Sequence, residues 1–130
     1  MKLNGIIETV IYADDLSLMK RFYEEVLKLE SYAYKEESFL FFKIGNSMLL
    51  FFNPLESRHN KDLPPHFAEG QQHFAFEVDE EEYEAWKAQV AEIVEIEHEH
   101  KWPNGKLSFY FRDPENNSVE IVMKSIWEKF

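Results

Sequence analysis

Three residues of metal-binding type stand at comparable places along the chain. Glu8 and His73 each open an apolar run, ETVIYADD and HFAFEVDE, and Glu120 interrupts a third. Val119, Ile121 and Met123 alternate with Glu120, Val122 and Lys124, the period of a strand with two unlike faces. A carboxylate in mid-strand is disfavoured and needs a partner. One imidazole and two carboxylates make a hard, oxygen-rich donor set suited to Mn²⁺, Mg²⁺ or Zn²⁺, with Fe²⁺ and Ni²⁺ admitted. The set is not the two-imidazole, one-carboxylate arrangement of iron-dependent oxygenases, so dioxygen chemistry is the less expected outcome. A divalent ion held there would polarise neighbouring oxygens of a small substrate. Glu120 or another base would move a proton, which points to lyase, isomerase or thiol-transfer chemistry.

Other residues are candidates for substrate contact or acid-base work. Tyr12 shares the strand face of Glu8, and His98 and His100 alternate on one face of the run from Val94 to His100. His66 lies in the loop segment Pro64-Pro65-His66-Phe67 and could close over a site. Plainer readings stand beside these. A strand Glu usually faces solvent, a His before an apolar strand is usually a hydrogen-bonded structural residue, and His98 and His100 fit an exposed strand end equally well. Tyr12 fits a packing wall, and Arg112 fits a group that steadies the following turn.

What joins the candidates is an internal repeat. The first half reads as a strand from Ile6 to Ala13, a helix over about 15–28 capped by Asp14 or Asp15, and strands at Ser31 to Tyr34, Phe39 to Ile44 and Met48 to Phe52, the last two separated by the hairpin turn Gly45-Asn46-Ser47. The second half repeats the order. Its strand is Gln72 to Val78, and its helix over about 80–91 opens on an Asp79/Glu82 capping box. Strands at Val94 to His100, Leu107 to Arg112 and Val119 to Met123 follow, the last two joined by Asp113-Pro114-Glu115-Asn116-Asn117, which is turn chemistry. Laid over each other, the halves place Glu8 on His73, and Asn46-Ser47-Met48-Leu49 on Asn117-Ser118-Val119-Glu120. Three of four pseudo-symmetric positions are then metal-competent. The fold class is α+β, two paired βαβββ modules forming a curved mixed sheet around a cleft, with helices outside. Module 1 spans about 5–53, a connecting loop 54–70, and module 2 about 71–124.

Composition limits the partners. At 130 residues the chain is one domain able to bury about two thirds of its unfolded surface. A net charge of -11, spread along the sequence, argues against nucleic acid and anionic membranes. With no cysteine, disulfides, thiolate metal sites and a thiol nucleophile are excluded. There is no signal-peptide pattern, long apolar segment or glycine-rich nucleotide loop, so the expectation is a cytoplasmic protein without a nucleotide cofactor.

Glu8 through Asp15 leading to Phe22-Tyr23 and Val26-Leu27, then His73-Phe74-Ala75-Phe76, and finally Arg112-Asp113-Pro114 through Asn117-Ser118-Val119-Glu120 resemble the vicinal oxygen chelate superfamily, which contains glyoxalases, bleomycin-resistance proteins and extradiol dioxygenases. The resemblance implies the paired βαβββ fold, a divalent metal at Glu8, His73 and Glu120, a small-molecule substrate and a homodimer. The chain departs from the family pattern at Glu8, where His is frequent, at Leu49, where glyoxalases often carry a carboxylate, and at Lys28 and Asn116, where glycine is frequent. Three ligands resemble the sites of extradiol dioxygenases or fosfomycin-modifying enzymes. A bleomycin-resistance-like alternative is a metal-free protein that sequesters a cationic or aromatic small molecule.

Overall fold

The structure, a computed structural model, describes residues 1–128. Two compact units divide at Gly70 and Gln71. The first contains β1 (Glu8–Tyr12), α1 (Leu16–Leu27), β2 (Ser31–Lys35), β3 (Phe39–Ile44), β4 (Ser47–Phe52) and a one-turn helix, α2 (Pro54–Ser57). The second contains β5 (His73–Val78), a 3₁₀ turn at Glu80–Glu82 leading into α3 (Tyr83–Ala91), β6 (His98–Lys101), β7 (Leu107–Arg112) and β8 (Ser118–Met123). Each unit is a βαβββ module with its own four-stranded mixed sheet, in the orders β1-β4-β3-β2 and β5-β8-β7-β6. The first and last strands of each module run parallel, and the other neighbours are antiparallel. The fold class is α+β, as the repeat implies.

One face of each sheet is buried by the unit's helix. In α1, Leu16, Met19, Tyr23, Val26 and Leu27 recur every three or four residues and are all buried. The helix starts at Asp15, whose carboxylate accepts from the Leu18 N–H at 3.0 Å. It ends at Lys28 in the left-handed region, φ 57°, a conformation that explains why glycine is favoured at such a helix end. Tyr23 packs 5.1 Å from Phe51 and 6.0 Å from Phe42, ring to ring. In the second unit Tyr83 and Val90 of α3 are buried, with Phe109, Phe111, Val119 and Ile121 buried in the sheet, and the Tyr83 and Phe109 rings stand 5.5 Å apart. Trp86 is only half-buried. Each fully buried aromatic contributes roughly 1.5–3 kcal/mol by leaving water.

Several local expectations are corrected. The strand expected from Val94 to His100 is confined to His98–Lys101, and ahead of it Glu97 N–H bonds to Tyr110 O at 2.8 Å. Asp79 makes no side-chain cap, so no capping box forms. Within the segment read as a continuous loop, Asn53 caps α2 through its side chain, which accepts from Leu55 N–H at 3.0 Å.

Candidate metal and substrate site

Strand register decides which side chains share the face turned away from each helix. In the first unit Glu8 lies opposite Met48, Val10 opposite Leu50 and Tyr12 opposite Phe52; Phe41 lies opposite Leu50 from the other side. In the second unit His73 lies opposite Ser118 and Ala75 opposite Glu120, with Tyr110 opposite Glu120 on the far side. The counterpart of Glu120 is therefore Leu50, not Leu49. Leu49 points the other way, with Thr9 and Phe42 as its cross-strand neighbours. A slip of one residue exchanges the two faces of a strand. The slip arises because the turns before β4 and β8 differ in length, and matching the shared Asn-Ser pair hides that difference. The fourth pseudo-symmetric position remains apolar.

The Asp113–Asn117 turn fixes His73 and Glu120 on neighbouring strands. Asp113 Oδ1 accepts from the N–H groups of Glu115 at 3.0 Å and Asn117 at 2.9 Å, and Asn117 Nδ2 donates to Asp113 Oδ2 at 2.9 Å. Asn116 takes φ 64°, as the turn chemistry requires. Asn117 Oδ1 then accepts from the Gln72 N–H at 2.9 Å, pinning the residue before His73. Arg112 steadies the same turn, donating to Asn116 O at 3.1 Å and pairing with Glu97 at 2.8 Å.

His73 Nδ1 bonds to Ser118 O at 2.9 Å. A carbonyl can only accept, so Nδ1 carries a proton. Nε2 lies 3.2 Å from Glu120 Oε1, with the imidazole half-exposed and the carboxylate buried. Nε2 therefore either carries the second proton of an imidazolium or turns its lone pair toward a carboxylate oxygen. In the second case two acceptors face each other, and a cation shared between them removes the repulsion.

Beyond Glu120 lies a row that sequence reading missed. Tyr110 stands directly opposite Glu120 across the β7–β8 ladder, and its hydroxyl pKa is raised, first by burial and further by that carboxylate. Ser108 Oγ lies 3.2 Å from Tyr110 Oη and 3.0 Å from Trp102 Nε1. The alternation of Leu107–Arg112 places Ser108, Tyr110 and Arg112 on one face, and counting pairs outward from the turn finds Tyr110 opposite Glu120. His98 and His100 are exposed on β6. The His98 ring is 5.9 Å from Tyr110, and the His100 ring is 4.5 Å from Trp102.

In the first unit Glu8 is exposed at the start of β1. Tyr12, at the other end of the strand, hydrogen-bonds His66 Nδ1 at 2.7 Å, and burial raises its pKa. The His66 ring also lies 4.9 Å from Phe52, so the loop histidine folds back onto its own unit. His59 is exposed. Among the described residues no three His, Asp or Glu side chains are gathered to hold a metal ion; the second unit gathers the His73–Glu120 pair. No helix among the described residues is long and apolar enough to cross a membrane.

Comparison with known proteins extends these observations. The family model described as Glyoxalase/Bleomycin resistance protein/Dioxygenase superfamily matches residues 5–121. A lactoylglutathione lyase from Agrobacterium tumefaciens is 41% identical, with TM-score 0.91, covering 99% of this chain and 100% of that one. A virulence protein from Salmonella typhimurium, 23% identical, has TM-score 0.74 over 95% of this chain and 98% of that one. A fosfomycin resistance protein from Mesorhizobium loti, 20% identical, has TM-score 0.67 over 98% of both chains. At those identities the last two are similar in fold alone. No curated protein matches. With the matched span running from before β1 into β8, the chain belongs to the glyoxalase/bleomycin resistance protein/dioxygenase superfamily.

Proposed function

We propose that this protein is a divalent-metal-dependent enzyme in which Glu8, His73 and Glu120 hold the ion, and that it carries out lyase or isomerase chemistry on a small oxygenated substrate. The observation that carries the reading is the pair His73–Glu120, in which Ser118 O commits Nδ1 and leaves Nε2 facing a buried carboxylate. Similarity to a lactoylglutathione lyase favours lyase or isomerase chemistry over dioxygen chemistry, with thiol transfer as a related outcome. When bound, the ion would supply Lewis-acid polarisation of neighbouring substrate oxygens. Glu8 completes the donor set from the first unit, either of the same chain or of the partner in a homodimer. Glu120 is the candidate base. Tyr12, His98 and His100 are candidate substrate contacts.

Elemental analysis of protein purified without chelator tests this. About one equivalent of Mn, Zn, Ni, Fe or Mg is expected in the native chain and is lost in His73→Ala and Glu120→Gln. If the native protein is empty, and added Mn²⁺, Zn²⁺ and Ni²⁺ leave its melting temperature unchanged, the reading fails in favour of a metal-free binder of cationic aromatic molecules. Light scattering on the same sample tests the homodimer.

A further inference from the structure

The residues beyond Glu120 carry a direction. An indole N–H can donate and cannot accept. Trp102 Nε1 donates to Ser108 Oγ at 3.0 Å, which leaves the Ser108 hydroxyl proton for another acceptor. Ser108 is fully buried, and a buried hydroxyl needs its partners within the protein. That acceptor is Tyr110 Oη at 3.2 Å. Tyr110, accepting from Ser108, keeps its own hydroxyl proton for a further acceptor, and Glu120 stands directly opposite it across the ladder on the same face. Trp102 is itself held by the β6–β7 hairpin, where its N–H bonds to Lys106 O and its carbonyl accepts from Gly105 N–H, both at 2.8 Å. The starting point of the series is thus anchored to backbone.

We propose that Trp102, Ser108 and Tyr110 form a one-way hydrogen-bond chain that holds Glu120 as a carboxylate acceptor with an oxygen presented to the metal site. The three are positioning residues, acting through Glu120. Ser118 O does the same for His73 through Nδ1, so both ligand atoms of the second unit are set from behind. The consequence for metal affinity rests on the metal reading above; the direction of the chain does not.

Direction makes an unusual prediction. Trp102→Phe keeps an aromatic ring beside His100 but removes the obligatory donor. Ser108 can then rotate and accept from Tyr110, drawing the proton away from Glu120. Removing Ser108 as well leaves Tyr110 with Glu120 as its acceptor again. Ni²⁺ affinity, measured by calorimetry on the full chain, is expected to fall about tenfold in Tyr110→Phe and Trp102→Phe, as is usual when a ligand's outer hydrogen bond is lost. It should fall less in Ser108→Ala and return toward native in the Trp102→Phe/Ser108→Ala double variant. A double variant as weak as Trp102→Phe would overturn the chain and leave Trp102 as packing. The second readout needs no metal: the ¹³C shift of the Glu120 carboxyl in metal-free protein moves in Tyr110→Phe and Trp102→Phe and returns in the double variant. If that pattern holds while no variant, nor the native protein, binds Ni²⁺, the chain stands and the metal reading falls. A Glu120 shift indifferent to Trp102→Phe refutes the chain whatever the metal does.

Discussion

In the first unit the row across the sheet, on the face turned from the helix, reads Val10, Leu50, Phe41; in the second the same row reads Ala75, Glu120, Tyr110. The backbone plan is shared, yet one row is apolar and the other carries a buried carboxylate, a tyrosine and, beyond them, His98. The helix-covered faces show no such contrast, since both are apolar: Ile11, Leu40, Phe42, Leu49 and Phe51 in the first, Phe109, Phe111, Val119 and Ile121 in the second. The repeat keeps the core and differs on the outer row. The second unit carries the polar row, while the first carries an apolar one with the Tyr12–His66 pair at its end and Glu8 exposed at the start of β1.

The contrast can be broken in order of expected effect. Phe109→Ala empties a fully buried position under α3 and should cost about 3–5 kcal/mol in denaturant unfolding, whereas Phe39→Ala, on the half-buried face of the first unit, should cost well under half of that. Asn117→Ala removes the acceptor of the Gln72 N–H and the donor to Asp113, and should cost about 1–3 kcal/mol. Glu120→Leu gives the second row the character of the first. It should abolish metal binding while leaving the melting temperature unchanged or higher, because a buried carboxylate gives way to an apolar side chain.

Two smaller effects sharpen the picture. Glu99 accepts from Lys87 at 2.9 Å and Tyr83 at 2.8 Å, and the Lys87 bond, followed by that of Tyr83, holds its carboxyl below the usual range. A depressed carboxyl contributes stability that is present above its unfolded pKa, about 4.3, and is lost as pH falls through the folded value. Glu99→Gln should therefore flatten the fall in melting temperature between about pH 5 and pH 3, with a total effect under about 1 kcal/mol because the pair is partly exposed. Tyr12→Phe should change stability by less than about 1 kcal/mol while freeing His66, seen as a shift in the His66 ring resonances.

Most of the fold was legible because strand alternation and the Leu16–Leu27 stripe obey simple periods, and Asp15 and Asn116 behave as their chemistry dictates. The placement of Glu120 in mid-strand was legible for the same reason. Its counterpart was not, since a one-residue offset between Leu49 and Leu50 is fixed by the hydrogen-bond ladder rather than by residue type. Tyr110, Ser108 and Trp102 escaped notice because aromatic residues in a strand read as core until the register shows which of them look away from the helix. Asp79 and Glu82 carried a capping pattern, but the chain enters α3 through a 3₁₀ turn, which leaves that cap unmade.

The most direct test of the central claim is anomalous diffraction from crystals grown with Zn²⁺ or Ni²⁺. A single strong peak is expected about 2.0–2.2 Å from His73 Nε2 and a Glu120 oxygen, with Glu8 as the third protein ligand. No peak at His73, with Nε2 still directed at Glu120, would contradict it.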